Sequence, residues 1–173
     1  MRHLIFGILF FSCSLSFTKA QSQQDMMNIH LQGGIINNGF HVASGIERLF
    51  GKNQTNSLFL NLNYQRLDRS VSAVDMLLKE QNAFLNAGYR KYLSFSSHLL
   101  PYVGASVLAG YQHLGNAVNG IYGHKSTGGF LYGGGTHAGI EYRMKPFSIF
   151  LEGAYLYELD HSWLLGIGVK YYF

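Results

Sequence analysis

The chain of 173 residues carries 13 Lys+Arg, 9 Asp+Glu and 8 His for a formal charge of +4; it is 47% hydrophobic, 15% aromatic and 13% charged. So few charges hardly cover a soluble surface, and so many aromatics exclude a disordered chain. Hydropathy averages near neutral, and after residue 20 no stretch is long and apolar enough for a membrane-spanning helix, which excludes a multi-pass helical transporter.

The first twenty residues have the build of a secretory signal. Met1-Arg2-His3 is a basic start, Leu4 to Phe11 is an unbroken apolar run, and Thr18-Lys19-Ala20 offers small residues where a signal peptidase reads. Residues 1–20 are therefore assigned as signal peptide and 21–173 as one mature domain beginning at Gln21. The alternative is a lipoprotein signal acylated at Cys13, where Phe10-Phe11 replaces the Leu and small residue such signals favour. Cleavage at Ala20 removes two of the 13 basic residues and the single cysteine, leaving 11 basic and 9 acidic residues and a net charge of +2. A disulfide framework is then excluded. The basic isoelectric point near 9.2 is not a nucleic-acid signature, because the remaining basic residues are scattered, and no direct nucleic-acid binding is expected.

Beyond the signal, apolar residues recur at every second position, as in strands with one face to lipid. An opening strand runs from about Met27 to Ile35, with Gly33-Gly34 and Asn37-Asn38-Gly39 each a plausible hairpin break. Phe40, Val42, Ser44 and Ile46 then alternate with His41, Ala43, Gly45 and Glu47. Leu58, Leu60, Leu62 and Tyr64 alternate with Phe59, Asn61, Asn63 and Gln65, and Ala83, Leu85, Ala87 and Tyr89 with Phe84, Asn86, Gly88 and Arg90. Val103 to Tyr111 faces one way at odd positions, with Gly104, Ser106, Leu108 and Gly110 opposite. Phe130, Tyr132, Thr136, Ala138, Ile140 and Tyr142 alternate with Leu131, Gly133, Gly135, His137, Gly139 and Glu141. Phe147, Ile149, Leu151 and Tyr155 oppose Ser148, Phe150, Glu152 and Ala154. The last strand sets Trp163, Leu165, Ile167, Val169, Tyr171 and Phe173 against Leu164, Gly166, Gly168, Lys170 and Tyr172.

The pattern predicts an all-β fold: an eight-stranded antiparallel transmembrane barrel with strands of about ten residues. Residues 66–80 and 112–128 read as long outer loops, 93–99 and 143–146 as short periplasmic turns, with Pro101 and Pro146 beside the short turns. Val71 to Lys79 alone suits a short helix. A soluble lipocalin-like barrel would need more charge outside. The ending Gly168-Val169-Lys170-Tyr171-Tyr172-Phe173 resembles the signal by which outer-membrane barrels are recognised, so Gly168, Tyr171 and Phe173 are assigned to contact with the barrel-assembly machinery. Localisation follows as the bacterial outer membrane, with outer-membrane lipid as the surrounding partner. Tyr64, Tyr89, Tyr111, Tyr142, Tyr155 and Trp163 sit toward strand ends on the outward face and are assigned, with Tyr171 and Phe173, to the interfacial girdle.

An eight-stranded barrel is just wide enough to be filled by its own side chains. The inward faces hold Glu47, Arg90, His137, Glu141, Glu152 and Lys170 with Asn61, Asn63 and Gln65, which predicts an ion-pair and amide network plugging the lumen rather than a gated polar path. A hydrolytic arrangement of His137, Glu141 and Ser148, joined by His41 and Glu47, is the enzymatic alternative, but no nucleophile motif flanks any serine. No catalytic residue, metal or cofactor is assigned. His113, His124 and His161 fall in predicted outer loops, where solvated histidines are commoner than a shared metal.

Tyr102-Val103-Gly104-Ala105-Ser106-Val107-Leu108-Ala109-Gly110-Tyr111 resembles the central segment of TraO, a transfer protein of Bacteroidetes conjugative transposons. Phe130-Leu131-Tyr132-Gly133-Gly134 and the closing Gly166-Ile167-Gly168-Val169-Lys170 resemble it too, as do the signal peptide ending in Ala-Gln and the strand order. The resemblance covers most of the mature chain. It implies an accessory outer-membrane component of a type IV secretion-like DNA-transfer apparatus, in contact with other conjugation proteins and not itself a DNA pore. It supplies no catalytic residues. The alternatives are a general barrel for adhesion or envelope integrity and, further off, a lipid-modifying enzyme.

Overall fold

Each strand carries the two-residue alternation of an element with one face to an apolar medium and one to a packed interior. The computed structural model describes residues 26–71, 76–93, 98–118, 126–157 and 161–173. They form β1 (Met26–Ile36), β2 (Gly39–Phe50), β3 (Asn56–Val71), β4 (Met76–Tyr92), β5 (Leu99–Val118), β6 (Ser126–Met144), β7 (Phe147–Tyr157) and β8 (His161–Tyr172). Each strand pairs antiparallel with its sequence neighbours, and β1 closes on β8. Following paired residues around the wall from Met26, through Leu49, Ser57, Arg90, Gly104, His137, Ala154 and Leu164, returns to Ile36, ten residues further along β1. That stagger tilts the strands by about 40°.

The barrel is apolar outside and polar inside. Leu58, Leu62, Leu85, Val103, Ile149, Leu165 and Ile167 are exposed on the outer wall, whereas Asn28, Glu47, Gln65, Arg90, Glu141 and Lys170 are buried within. In water this arrangement would waste the hydrophobic effect; in a bilayer it satisfies both faces. This is an outer-membrane-type barrel. The predicted inward and outward sets agree with the observed faces on β2 to β8, the seven strands for which faces were assigned.

All four predicted connections are shorter than expected. Residues 66–71, 76–80, 112–118 and 126–128 are strand, not loop, so β3 to β6 run for 16, 17, 20 and 19 residues while β1, β2, β7 and β8 keep 11 or 12. The short helix considered at Val71–Lys79 is replaced by strand from Met76, with 72–75 outside the described residues. Leu99, Arg143 and Met144 likewise belong to strands. The reason is physical: above the bilayer no lipid demands an apolar outer face, so the alternation fades while the hydrogen-bond ladder continues. The first hairpin turns at Asn37-Asn38, with Ile36 paired to Gly39 and Asn37 at φ 41. The Asn37 side chain accepts from the Trp163 N–H at 3.1 Å and donates to Ser162 Oγ at 3.3 Å, tying the turn to β8. Pro101 lies inside β5, its carbonyl accepting from Leu93 N–H at 2.7 Å.

Candidate functional site

The interior is built in layers, which follow from the register and the stagger. Near the end that bears Met26 and Phe173, three carboxylates meet three cations. Lys170 Nζ lies 2.6 Å from Glu47 and 2.9 Å from Glu141; Arg90 lies 2.8 Å from Glu152 and 3.5 Å from Glu47; Arg143 lies 2.9 Å from Glu141. Hydroxyls and amides complete the shell. Tyr92 and Ser57 donate to Glu47 at 2.8 and 2.5 Å, Asn28 donates to it at 3.1 Å, Tyr102 donates to Glu152 at 2.9 Å, and Tyr172 donates to Glu141. Charges taken out of water this completely persist only when paired and hydrogen-bonded, and these are.

Room for the long cationic side chains comes from glycines at one level of the wall. Gly45, Gly88, Gly104, Gly139 and Gly168 all sit there, and four of them pair across the ladder with a ring: Gly88 with Phe59, Gly104 with His137, Gly139 with Tyr102, Gly168 with Phe150. A Cβ at Gly139 would stand 2.5 Å from the Tyr102 ring, and one at Gly88 2.7 Å from Phe59. The rings lie over these backbones, and the cations lie against the rings, with the Arg90 guanidinium 4.1 Å from the Phe59 centroid and Lys170 Nζ 5.1 Å from Phe150.

Above this layer is a small polar chamber of about 20 Å³, lined by Gln32, His41, Asn61, Asn63, Asn86 and His137, enough for about one water molecule. His30 and His41 each share a hydrogen bond with an asparagine, Asn61 at 2.8 Å and Asn63 at 3.0 Å. Higher still, Ile36, Leu67, Phe84, Leu108, Leu131, Leu156 and Leu164 converge from seven of the eight strands into an apolar lid. A final polar group crowns it, with Asn82 and Gln112 each donating to Glu80 at 2.8 Å.

The structure thus joins five of the six expected network residues. His137 stands apart from the ion pairs, its ring against Phe59 at 5.1 Å. Arg143, Tyr92, Tyr102 and Tyr172 belong to the same network. Arg143, assigned to the short turn 143–146, instead lies in β6 and faces inward beside Glu141. The hydrolytic arrangement does not assemble. Ser148 pairs with Arg143 while His137 pairs with Ala154, six positions along β7 and about 20 Å at the strand rise. His41 and Glu47 are likewise six positions apart on β2. His113 and His161 are on strands rather than loops, with His161 stacked on Tyr155 at 5.8 Å, and His124 lies outside the described residues. Among the described residues no group of three or more potential metal ligands forms.

On the outer wall the girdle tyrosines and Trp163 are exposed. Tyr64, Tyr111, Tyr155 and Trp163 sit toward one rim; Tyr142, Tyr171 and Phe173 sit toward the other. Tyr89 reaches down to that second rim, donating to Asn56 at 2.5 Å. Gly168 faces the lumen under Phe150, and Phe173 pairs its backbone with Met27.

No protein-family model matches this chain, and no curated protein matches it in sequence. Solved structures do. A major outer membrane protein of Thermus thermophilus superposes with a TM-score of 0.68 at 12% identity, covering 87% of this chain and 100% of that one. Ail, the attachment invasion locus protein of Yersinia pestis, gives 0.55 at 12% identity over 86% and 97%. The N-terminal β-barrel domain of Pseudomonas aeruginosa OprF gives 0.51 at 19% identity over 87% and 98%. At these identities the likeness is one of fold.

Proposed function

We propose that this outer-membrane barrel is an accessory structural component of a conjugative DNA-transfer apparatus and acts through its surfaces, not through its lumen. The observation that carries the second half is the layered interior. A charged network and an apolar lid fill the barrel in series, so neither DNA nor protein passes through a single copy. The first half rests on the resemblance of residues 102–111, 130–134 and 166–170 to TraO. Deleting the gene alone in a donor strain should collapse mating frequency, and complementation should restore it. Normal mating in the deletion strain would remove the conjugative role and leave the barrel.

A second reading is adhesion or envelope integrity. Its support is that one structural relative is described as an attachment invasion locus protein, and that β3 to β6 project beyond the rest of the wall. Normal mating combined with loss of surface attachment would favour it.

A further inference from the structure

Among the described residues, the long strands leave a backbone edge open along β6. β6 pairs with β7 only from Gly134 onward, whose partner is Tyr157, whereas its pairing with β5 continues to Ser126. Residues 126–133 therefore have a neighbour on one side only among the described residues. Which groups face the open side follows from the ladder. Arg143 N–H donates toward β5, to the His98 carbonyl at 2.8 Å, and the register runs unbroken from there. Odd-numbered β6 residues thus point their backbone groups at β5. Ser126, Gly128, Phe130 and Tyr132 point theirs outward along the sheet.

This edge is undefended. Natural edges are blunted by Lys, Pro or inward-pointing charge, yet residues 126–135 read Ser-Thr-Gly-Gly-Phe-Leu-Tyr-Gly-Gly-Gly, without a charge or a proline. The opposite edge of the same projecting sheet is different: β3 loses β2 after Leu67, the Asp68 N–H still donates to the Asn38 carbonyl at 3.3 Å, and only three residues follow to the end of β3 at Val71, beginning with Arg69. The undefended edge also carries the two most exposed apolar side chains among the described residues, Tyr132 at 72% and Phe130 at 71%.

Level and symmetry identify the occupant. Unpaired backbone is not tolerated in hydrocarbon, so the edge stands beyond the bilayer, starting where the short wall of β1, β2, β7 and β8 ends. A lipid cannot satisfy it. A second copy in the same membrane is related by an axis along the bilayer normal, so two β6 strands tilted by about 40° would cross at about 80° and could not form a ladder. Pairing with a neighbour's β3 edge would engage only the three residues after Asp68, the first of them charged. We infer that the 126–133 edge of β6 is a strand-addition site for an extended polypeptide segment of another protein outside the cell, its backbone completing the ladder and its side chains packing on Phe130 and Tyr132.

The test uses the full barrel in lipid nanodiscs and a fluorescent ten-residue peptide of alternating Thr and Val. The peptide should bind, and the same peptide N-methylated on alternate amides should bind about tenfold more weakly or worse. Phe130→Pro removes one edge N–H without touching the β5 ladder and should weaken binding similarly, while Phe130→Thr, which keeps the N–H, should lose less than Phe130→Pro. Heat-modifiable gel mobility confirms that each variant folds, and the N-methylated arm needs no variant. Hydrogen exchange supplies a second readout. The Phe130 and Tyr132 amides should exchange much faster than those of Ile140 and Tyr142, which face β7, and slow when peptide is added. The inference is overturned by absence of binding, by equal binding of the N-methylated peptide or of folded Phe130→Pro, or by slow exchange at Phe130 and Tyr132 in the peptide-free barrel.

Discussion

The two halves of the lumen are closed by opposite chemistry. Toward the chain ends, six charged side chains and three tyrosines form one network; toward the other rim, seven apolar side chains form a lid. The lower half depends on directional bonds and fails when a partner is lost. The upper half depends on filled volume and fails by degrees. The lower half specifies which residues must face each other around the barrel, because a one-step slip of any strand would separate Glu47 from Lys170 or Glu152 from Arg90. The lid tolerates rearrangement but keeps water away from the network beneath.

The largest expected effect breaks the lower half. Glu47→Gln leaves Lys170 and Arg90 with one carboxylate each, and turns the oxygen that accepts from Lys170 and Asn28 into an NH2 donor facing two other donors. Loss of one member of a buried ionic network costs about 3–5 kcal/mol, read as a lower urea midpoint for unfolding in lipid. The comparison sharpens if Glu47→Leu combined with Lys170→Met recovers part of that loss, because both charges then leave together.

Leu108→Ala breaks the upper half. A buried leucine truncated to alanine costs about 2–4 kcal/mol through lost contacts and the cavity left behind, by the same unfolding measurement. In planar bilayers this variant should stay non-conducting, since the charged layer still closes the barrel. Ion conductance through Leu108→Ala would show that the lid is the true seal.

How far these halves were legible from the chain depends on the lipid. Within the bilayer span the outer face must be apolar, so parity alone placed Glu47, Arg90, Glu141, Glu152 and Lys170 inside. Which of them touch was not legible, because contacts depend on the ten-residue stagger, and that rests on turns such as Asn37-Asn38, for which Gly33-Gly34 was an equal rival. The projecting parts of β3 to β6 were hidden for the same reason. His113 faces water on a strand that read as loop, and Gln81 beside it on β4 faces water likewise, once the lipid constraint ends. Arg143 was hidden by its nearness to Pro146, which suggested an earlier turn.

Gly139→Ala tests the level where the halves meet. Its Cβ would enter the Tyr102 ring, whose hydroxyl holds Glu152, and the Leu151 carbonyl stands equally near at 2.5 Å. One obstacle is backbone, so relief by side-chain rotation is incomplete and the cost should be about 1–3 kcal/mol. Combining it with Tyr102→Leu should recover less than the whole, since the carbonyl remains in place.

The smallest effect belongs to Ser148→Ala. Ser148 is fully buried beside the charged half, yet its Oγ has no hydrogen-bond partner within the protein. Removing an unpartnered buried hydroxyl withdraws a desolvated group without breaking a bond, so stability should stay within about 0.5 kcal/mol or rise slightly. The same variant probes the chemistry that the register separates. A serine about 20 Å along the barrel from His137 cannot be activated by it. Lipid A mass spectra from cells carrying Ser148→Ala or His137→Ala should therefore match the parent strain. A mass shift lost in both variants would mean that the two halves communicate through a rearrangement of the lumen, and the reading of the lower half as a static plug would fall.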